Sequence, residues 1–118
     1  MAKEFFEKLS DLMAEMAPYI STPASLVIKH FFSGAAVYAD GHICVTFTPV
    51  GFAIKLPTEL RDELMKENGA KSLQYFPGAP IKKDYVLLPK KVLEDRDILS
   101  GWVGQSINYV LTLPLTGR

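Results

Sequence analysis

The sequence predicts an α+β fold: a mostly antiparallel sheet packed with helices in two layers, in the order α-β-β-β-α-β-β-α. Three observations carry this. Both ends of the chain repeat apolar residues at helical spacing. Between them, prolines and glycines cut the chain into apolar runs of strand length. Asp40-Gly41 stands between two such runs, a strong hairpin signal because both residues tolerate the positive φ that a tight turn needs.

The first helix is expected over about residues 3–17, where Phe5, Phe6, Leu9, Leu12, Met13 and Met16 share a stripe and Pro18 ends it. A β-meander follows. A two-residue Asp40-Gly41 loop sets Ala39 opposite His42, Val37 opposite Cys44 and Tyr38 opposite Ile43, with Ala36 facing Val45 and Gly34 facing Phe47. The turn Thr48-Pro49-Val50-Gly51 has proline at its second position and sets Phe47 opposite Phe52, Val45 opposite Ile54 and Ile43 opposite Leu56. Both turns then place Ile43, Val45 and Phe47 on one apolar face.

A second helix is expected from about Glu59 to Asn68, with Thr58 as N-cap and Asn68-Gly69 as its stop. Two strands follow, about residues 72–76 and 84–88, joined through Pro77-Gly78-Ala79-Pro80. In the last helix, about residues 95–113, Ile98, Leu99, Trp102, Val103, Ile107, Val110 and Leu111 fill one face. Asp95 and Asp97 suit its start. Gly101 and Gly104 do not suit its interior, each costing about 1 kcal/mol against alanine.

Composition narrows the function. The 118 residues make one domain, and a single cysteine, Cys44, forms no internal disulfide. Thirteen basic and thirteen acidic side chains balance, without the basic excess of a dedicated nucleic-acid binder. The charged N-terminus is not a signal peptide and no apolar run is long enough to span a membrane, so a cytoplasmic location is expected.

Candidate chemistry is sparse. His42 and Cys44 share a strand face, but two ligands fall short of a zinc site, so no metal is expected. Cys44 lacks a base placed to activate it, and a lone mid-strand cysteine behaves as a small hydrophobe. The acidic pairs Asp62-Glu63 and Glu94-Asp95 sit at helices, where neighbours do not face each other. Lys82, Lys83, Lys90 and Lys91 flank the last strand, either as a weak nucleic-acid patch or as guards of a strand edge.

The most unusual stretch is Phe31 to Ile54, in which only Asp40 is charged. The face carrying Ala35, Val37, Ala39, His42, Cys44, Thr46, Thr48 and Ala53 is too mild for a wetted sheet. It reads either as a contact surface for a partner or second copy, or as a face covered by a helix of the same chain. Ser100, Gly101 and Gly104 form a comparable small-residue patch, consistent with close backbone approach.

Phe31-Phe32-Ser33-Gly34-Ala35-Ala36-Val37-Tyr38-Ala39-Asp40-Gly41 resembles the Met-Phe-Gly-Gly-x-Gly-Leu-Tyr-x-Asp-Gly signature of the TfoX N-terminal domain family. Phe52-Ala53-Ile54-Lys55 resembles its third strand and Tyr85-Val86-Leu87-Leu88-Pro89 its Tyr-x-x-Leu-Pro segment. Leu93, Asp95, Leu99 and Trp102 fit its closing pattern, so the likeness covers about residues 5–112. Phe31, Ser33 and Ala36 depart from the signature, and His30 stands where the family often has arginine; the chain resembles a divergent, stand-alone member. The resemblance implies a type III secretion chaperone-like α+β fold, a link to regulators of competence for DNA uptake, and no established catalytic residue. The expectation is a non-enzymatic interaction domain without cofactor, binding a protein or a second copy through Ala35, Val37, His42, Cys44 and Thr46, or through Gly101 and Gly104. The alternative is weak nucleic-acid binding through Lys82, Lys83, Lys90 and Lys91.

Overall fold

A computed structural model describes residues 2–68, 70–74 and 77–114. The elements are α1 (Ala2–Met16), β1 (Leu26–Phe31), β2 (Gly34–Ala39), β3 (His42–Thr48), β4 (Gly51–Lys55), α2 (Thr58–Asn68), β5 (Lys71–Leu73), β6 (Lys82–Leu87), α3 (Lys90–Leu93) and α4 (Arg96–Leu111). The strands form a six-stranded sheet in the order β1-β2-β3-β4-β6-β5, antiparallel throughout. The fold class is the expected α+β arrangement. To the expected order the structure adds β1, paired along the edge of β2, and the short helix α3.

Local chemistry explains the element ends. Asp40 and Gly41 take φ of 49° and 86°, the left-handed values of the tight turn. Asp40 is tied further to the β1 entry: its Oδ1 accepts from Ser25 N at 2.8 Å, and its own N donates to Ser25 O at 2.9 Å. Asp95 caps α4, its side chain accepting from Ile98 N at 3.2 Å. Arg96 reaches across to Glu15 at 2.6 Å, joining the start of α4 to the end of α1. Gly34 cannot be replaced: a Cβ there would stand 2.0 Å from Phe47 O, a backbone atom.

The helices share one face of the sheet. Leu9, Met13 and Met16 of α1, Leu64 of α2, Val92 of α3 and Leu99, Val103, Ile107 and Val110 of α4 join one buried cluster. The sheet contributes Ala35, Val37, Ala39, Cys44, Val45, Phe52, Ile54 and Val86. Lys29, Ala36, Tyr38, Ile43, Thr46, Ala53, Tyr85 and Leu87 lie outside it, on the opposite face.

The pairing corrects the expected register of the first hairpin. Ala39 opposes His42 and Tyr38 opposes Ile43, as the turn requires, but Val37 then opposes Val45, not Cys44. Ala36 opposes Thr46 and Ala35 opposes Phe47. A β-bulge inserts Cys44 as the extra residue, and every β2 side chain beyond it changes its partners by one. The second turn has the expected register, with Phe47 opposite Phe52 and Val45 opposite Ile54. The inner face is therefore Ala35 and Val37 with Val45, Phe47, Phe52 and Ile54; Ile43 goes outside with Tyr38.

Candidate interaction surfaces

The expected sheet surface divides into three fates. Ala35, Val37 and Cys44 have no solvent exposure and belong to the core cluster, so they present nothing to a partner. The reading that helices of the same chain cover them is the one observed. Thr46 is on the outer face, as expected, but buried among its neighbours, and its Oγ1 makes no hydrogen bond. His42 is half-buried beside the turn, opposite Ala39.

The bulge explains the environment of Cys44. Its Sγ donates to Val37 O at 3.4 Å, and its carbonyl accepts from Ser106 Oγ of α4 at 3.0 Å. Backbone groups displaced from the ladder thus find partners in a side chain of the bulge and in a helix. Burial pushes the thiol from 9.0 up to about 12, against smaller lowering effects of the Val45 backbone hydrogen bond and of Lys55. A nucleophilic cysteine needs a thiolate near neutral pH; this site favours the thiol. The other histidine, His30, is stacked on Phe6 of α1 at 4.6 Å and is not brought near Cys44. Among the described residues, no three His, Cys, Asp or Glu side chains group as a metal site.

The glycine patch on α4 is at the surface. Gly101 is exposed and Gly104 half-buried, and a Cβ on either would meet nothing within 4 Å. Close approach by another part of this chain therefore does not account for them. Beside Gly101, Ile98 is 48% exposed and Trp102 half-buried. With Leu60 and Glu63 of α2 and Asp97, these residues line a shallow groove of about 320 Å³ between α2 and α4.

The lysines distribute unlike the sequence pairs suggested. Lys82 and Lys83 begin β6, whereas Lys90 and Lys91 sit on α3, with Lys90 Nζ 3.9 Å from Glu94. The outer sheet face gathers a different set. One row crosses all six strands in register: Lys29, Ala36, Thr46, Ala53, Leu87 and Lys71. The adjacent row carries Val27, Tyr38, Ile43, Lys55 and Tyr85. Lys29 Nζ lies 5.1 Å from the Tyr38 ring centroid, and Lys55 Nζ 5.6 Å from that of Tyr85. Lys29, Lys55 and Lys71 are dispersed over three strands and separated by 16 or more residues in sequence, so no local motif announces them.

Among the described residues no helix is long and apolar enough to cross a membrane. No curated protein and no solved structure matches the chain. The model of the TfoX N-terminal domain family matches residues 18–109, from the 3-10 turn after α1 to the last turns of α4. The signature residues fall on the end of β1, on β2 and on the Asp40-Gly41 turn into β3, and the match spans all six strands with α2, α3 and most of α4 but not α1. The chain belongs to the TfoX N-terminal domain family.

Proposed function

We propose that this chain is a non-enzymatic, cytoplasmic interaction domain with a regulatory role, and that it holds a second copy or another protein against the exposed face of α4. The observation that carries this is the pair Gly101 and Gly104. Two helix-interior glycines cost about 2 kcal/mol together, and among the described residues no atom beyond their own helix backbone and chain neighbours comes within 4 Å of where a Cβ would stand. Glycine on a helix surface lets another backbone come close, and Ile98 and Trp102 next to it supply apolar area for such a contact. Family membership supports a small domain of this type; the regulatory part rests on the likeness to competence regulators.

Light scattering across a concentration series tests the self-association form. The expected outcome is a rise from the 13.1 kDa monomer mass toward twice that value, abolished by Gly101→Arg. Arginine at this position meets open space, so the monomer fold is retained. Gly101→Ala adds only a methyl group and is expected to stabilise the monomer by about 0.4–1 kcal/mol. A wild type that stays monomeric, and that loses no protein partner when Gly101→Arg is introduced, refutes the proposal.

A further inference from the structure

We propose that the outer face of the sheet binds single-stranded nucleic acid, independently of the α4 surface. The argument begins with charge. The described strands contain five lysines, Lys29, Lys55, Lys71, Lys82 and Lys83, and one acid, Asp84. The acidic side chains otherwise lie on helices, their caps and loops, and Asp40 is in a turn. Pairing puts Lys29, Lys55 and Lys71 on the outer face. The same pairing puts no carboxylate among them. Zero net charge for the whole chain thus coexists with a sheet face of one sign, which attracts a polyanion.

Geometry selects the kind of polyanion. The row from Lys29 to Lys71 crosses five strand spacings, about 24 Å, with Ala36, Thr46 and Ala53 as a low floor between its charged ends. An acidic peptide in extended form adds to a sheet edge, through main-chain hydrogen bonds, and does not run across strands. A nucleic-acid strand has no such requirement: its phosphates need flexible point charges, which lysines are. Its bases need flat apolar faces, and Tyr38 presents one: it is half-buried on this face with the Lys29 ammonium over its ring. A phosphate that draws Lys29 off the ring uncovers it for stacking. No described helix projects from this face to enter a duplex groove, and paired bases do not offer their planes to a tyrosine, so the occupant is a single strand.

Fluorescence anisotropy with labelled oligo-dT and oligo-rU of twenty nucleotides tests this, with unlabelled polyglutamate as competitor. Both oligonucleotides are expected to bind at 50 mM salt, with log K falling against log salt at a slope of about −2, as three phosphate contacts on a single strand require. Lys29→Glu with Lys55→Glu should weaken binding more than tenfold and flatten the slope. Tyr38→Leu should weaken it about fivefold or more at unchanged slope, since stacking carries no counterions; Tyr38→Phe should restore it. Ile98→Asp and Gly101→Arg should leave it unchanged, which separates this site from the α4 surface. Absence of binding at 20 mM salt overturns the proposal. Competition by polyglutamate equal to that by oligonucleotide, together with indifference to Tyr38→Leu, overturns it in favour of an acidic protein partner. Thermal melts of each variant confirm that the fold is intact.

Discussion

The two faces of the sheet are built from the same strands and differ in almost everything else. The inner face carries Ala35, Val37, Val45, Phe52 and Ile54, all without appreciable exposure, under helices that supply leucine, methionine, isoleucine and valine. The outer face carries lysines, tyrosines and a strip of small residues, and none of its side chains joins the core cluster. Ala36, Thr46 and Ala53 are as buried as the core, yet they face away from it and none joins the core cluster. Burial alone does not distinguish a residue that holds the fold together from one that merely sits low on a surface. The pairing register and the partners of each side chain do.

The comparison breaks most visibly by truncation. Phe52→Ala on the inner face removes a large buried ring that packs beside Phe47, ring centroids 5.5 Å apart, and should cost about 3–5 kcal/mol. Tyr38→Ala on the outer face forfeits the Lys29 contact and little else, about 1 kcal/mol. Urea denaturation of the two variants measures the ratio; equal losses would mean that the outer face is also core.

Alkaline pH probes the inner face without a mutation. The Cys44 thiol is held at about 12 in the folded chain against 9.0 for the free group. Below pH 9 both states keep the proton and stability is unaffected. Between about 9 and 12 the unfolded chain ionises first, so stability falls with rising pH at about 1.4 kcal/mol per unit. Melting curves from pH 8 to 11 should show this slope in wild type and lose the cysteine part of it in Cys44→Ala.

A smaller effect tests the link between the helix layer and the bulge. Ser106→Ala leaves the buried Cys44 carbonyl without its partner in α4 and should cost about 1–2 kcal/mol. A cost near zero would show that the bulge holds itself and that α4 only lies over it.

Much of this was legible in the chain. The α1 stripe, the α4 stripe apart from Ile98, which is 48% exposed, the Asp95 cap, the Asp40-Gly41 turn and the Thr48–Gly51 turn each follow from local chemistry, and each lies where the spacing predicts. The interaction surface was not legible to the same degree. An ideal two-residue hairpin continues with Val37 opposite Cys44, and nothing local at Cys44 distinguishes an extra residue from a ladder member. That one residue turns β2 over: the ideal hairpin sets Ala35 and Val37 on the wetted side and Ala36 and Tyr38 on the apolar one, the reverse of their observed faces. On β3 and β4 the spacing sets Thr46 and Ala53 outside and Val45 and Ile54 inside, as the structure has them, because the second turn has no bulge. Only burial of Val37 with Val45, under α1 and α4, distinguishes the two registers. A weak trace was available: Val37 is the more apolar partner for Val45, and the bulge pairs them.

The lysines teach the same division. The pairs Lys82-Lys83 and Lys90-Lys91 were conspicuous because they are adjacent, and adjacency in sequence put them on two different elements. Lys29, Lys55 and Lys71 were inconspicuous because each stands alone, and sheet pairing brought them onto one face.

By itself the sequence determined the class of fold, helices α1, α2 and α4, the Asp95 cap, the position of the tight turns and, through its signature residues, the family. These are set by interactions within a few residues: apolar period, side-chain capping, and the positive φ that aspartate and glycine accept. The tertiary structure alone decided which way β2 faces, what Cys44 is for, and which charges share a surface. Each of those depends on pairing or packing between segments far apart in the chain, where a single inserted residue in a period-two strand exchanges inside for outside.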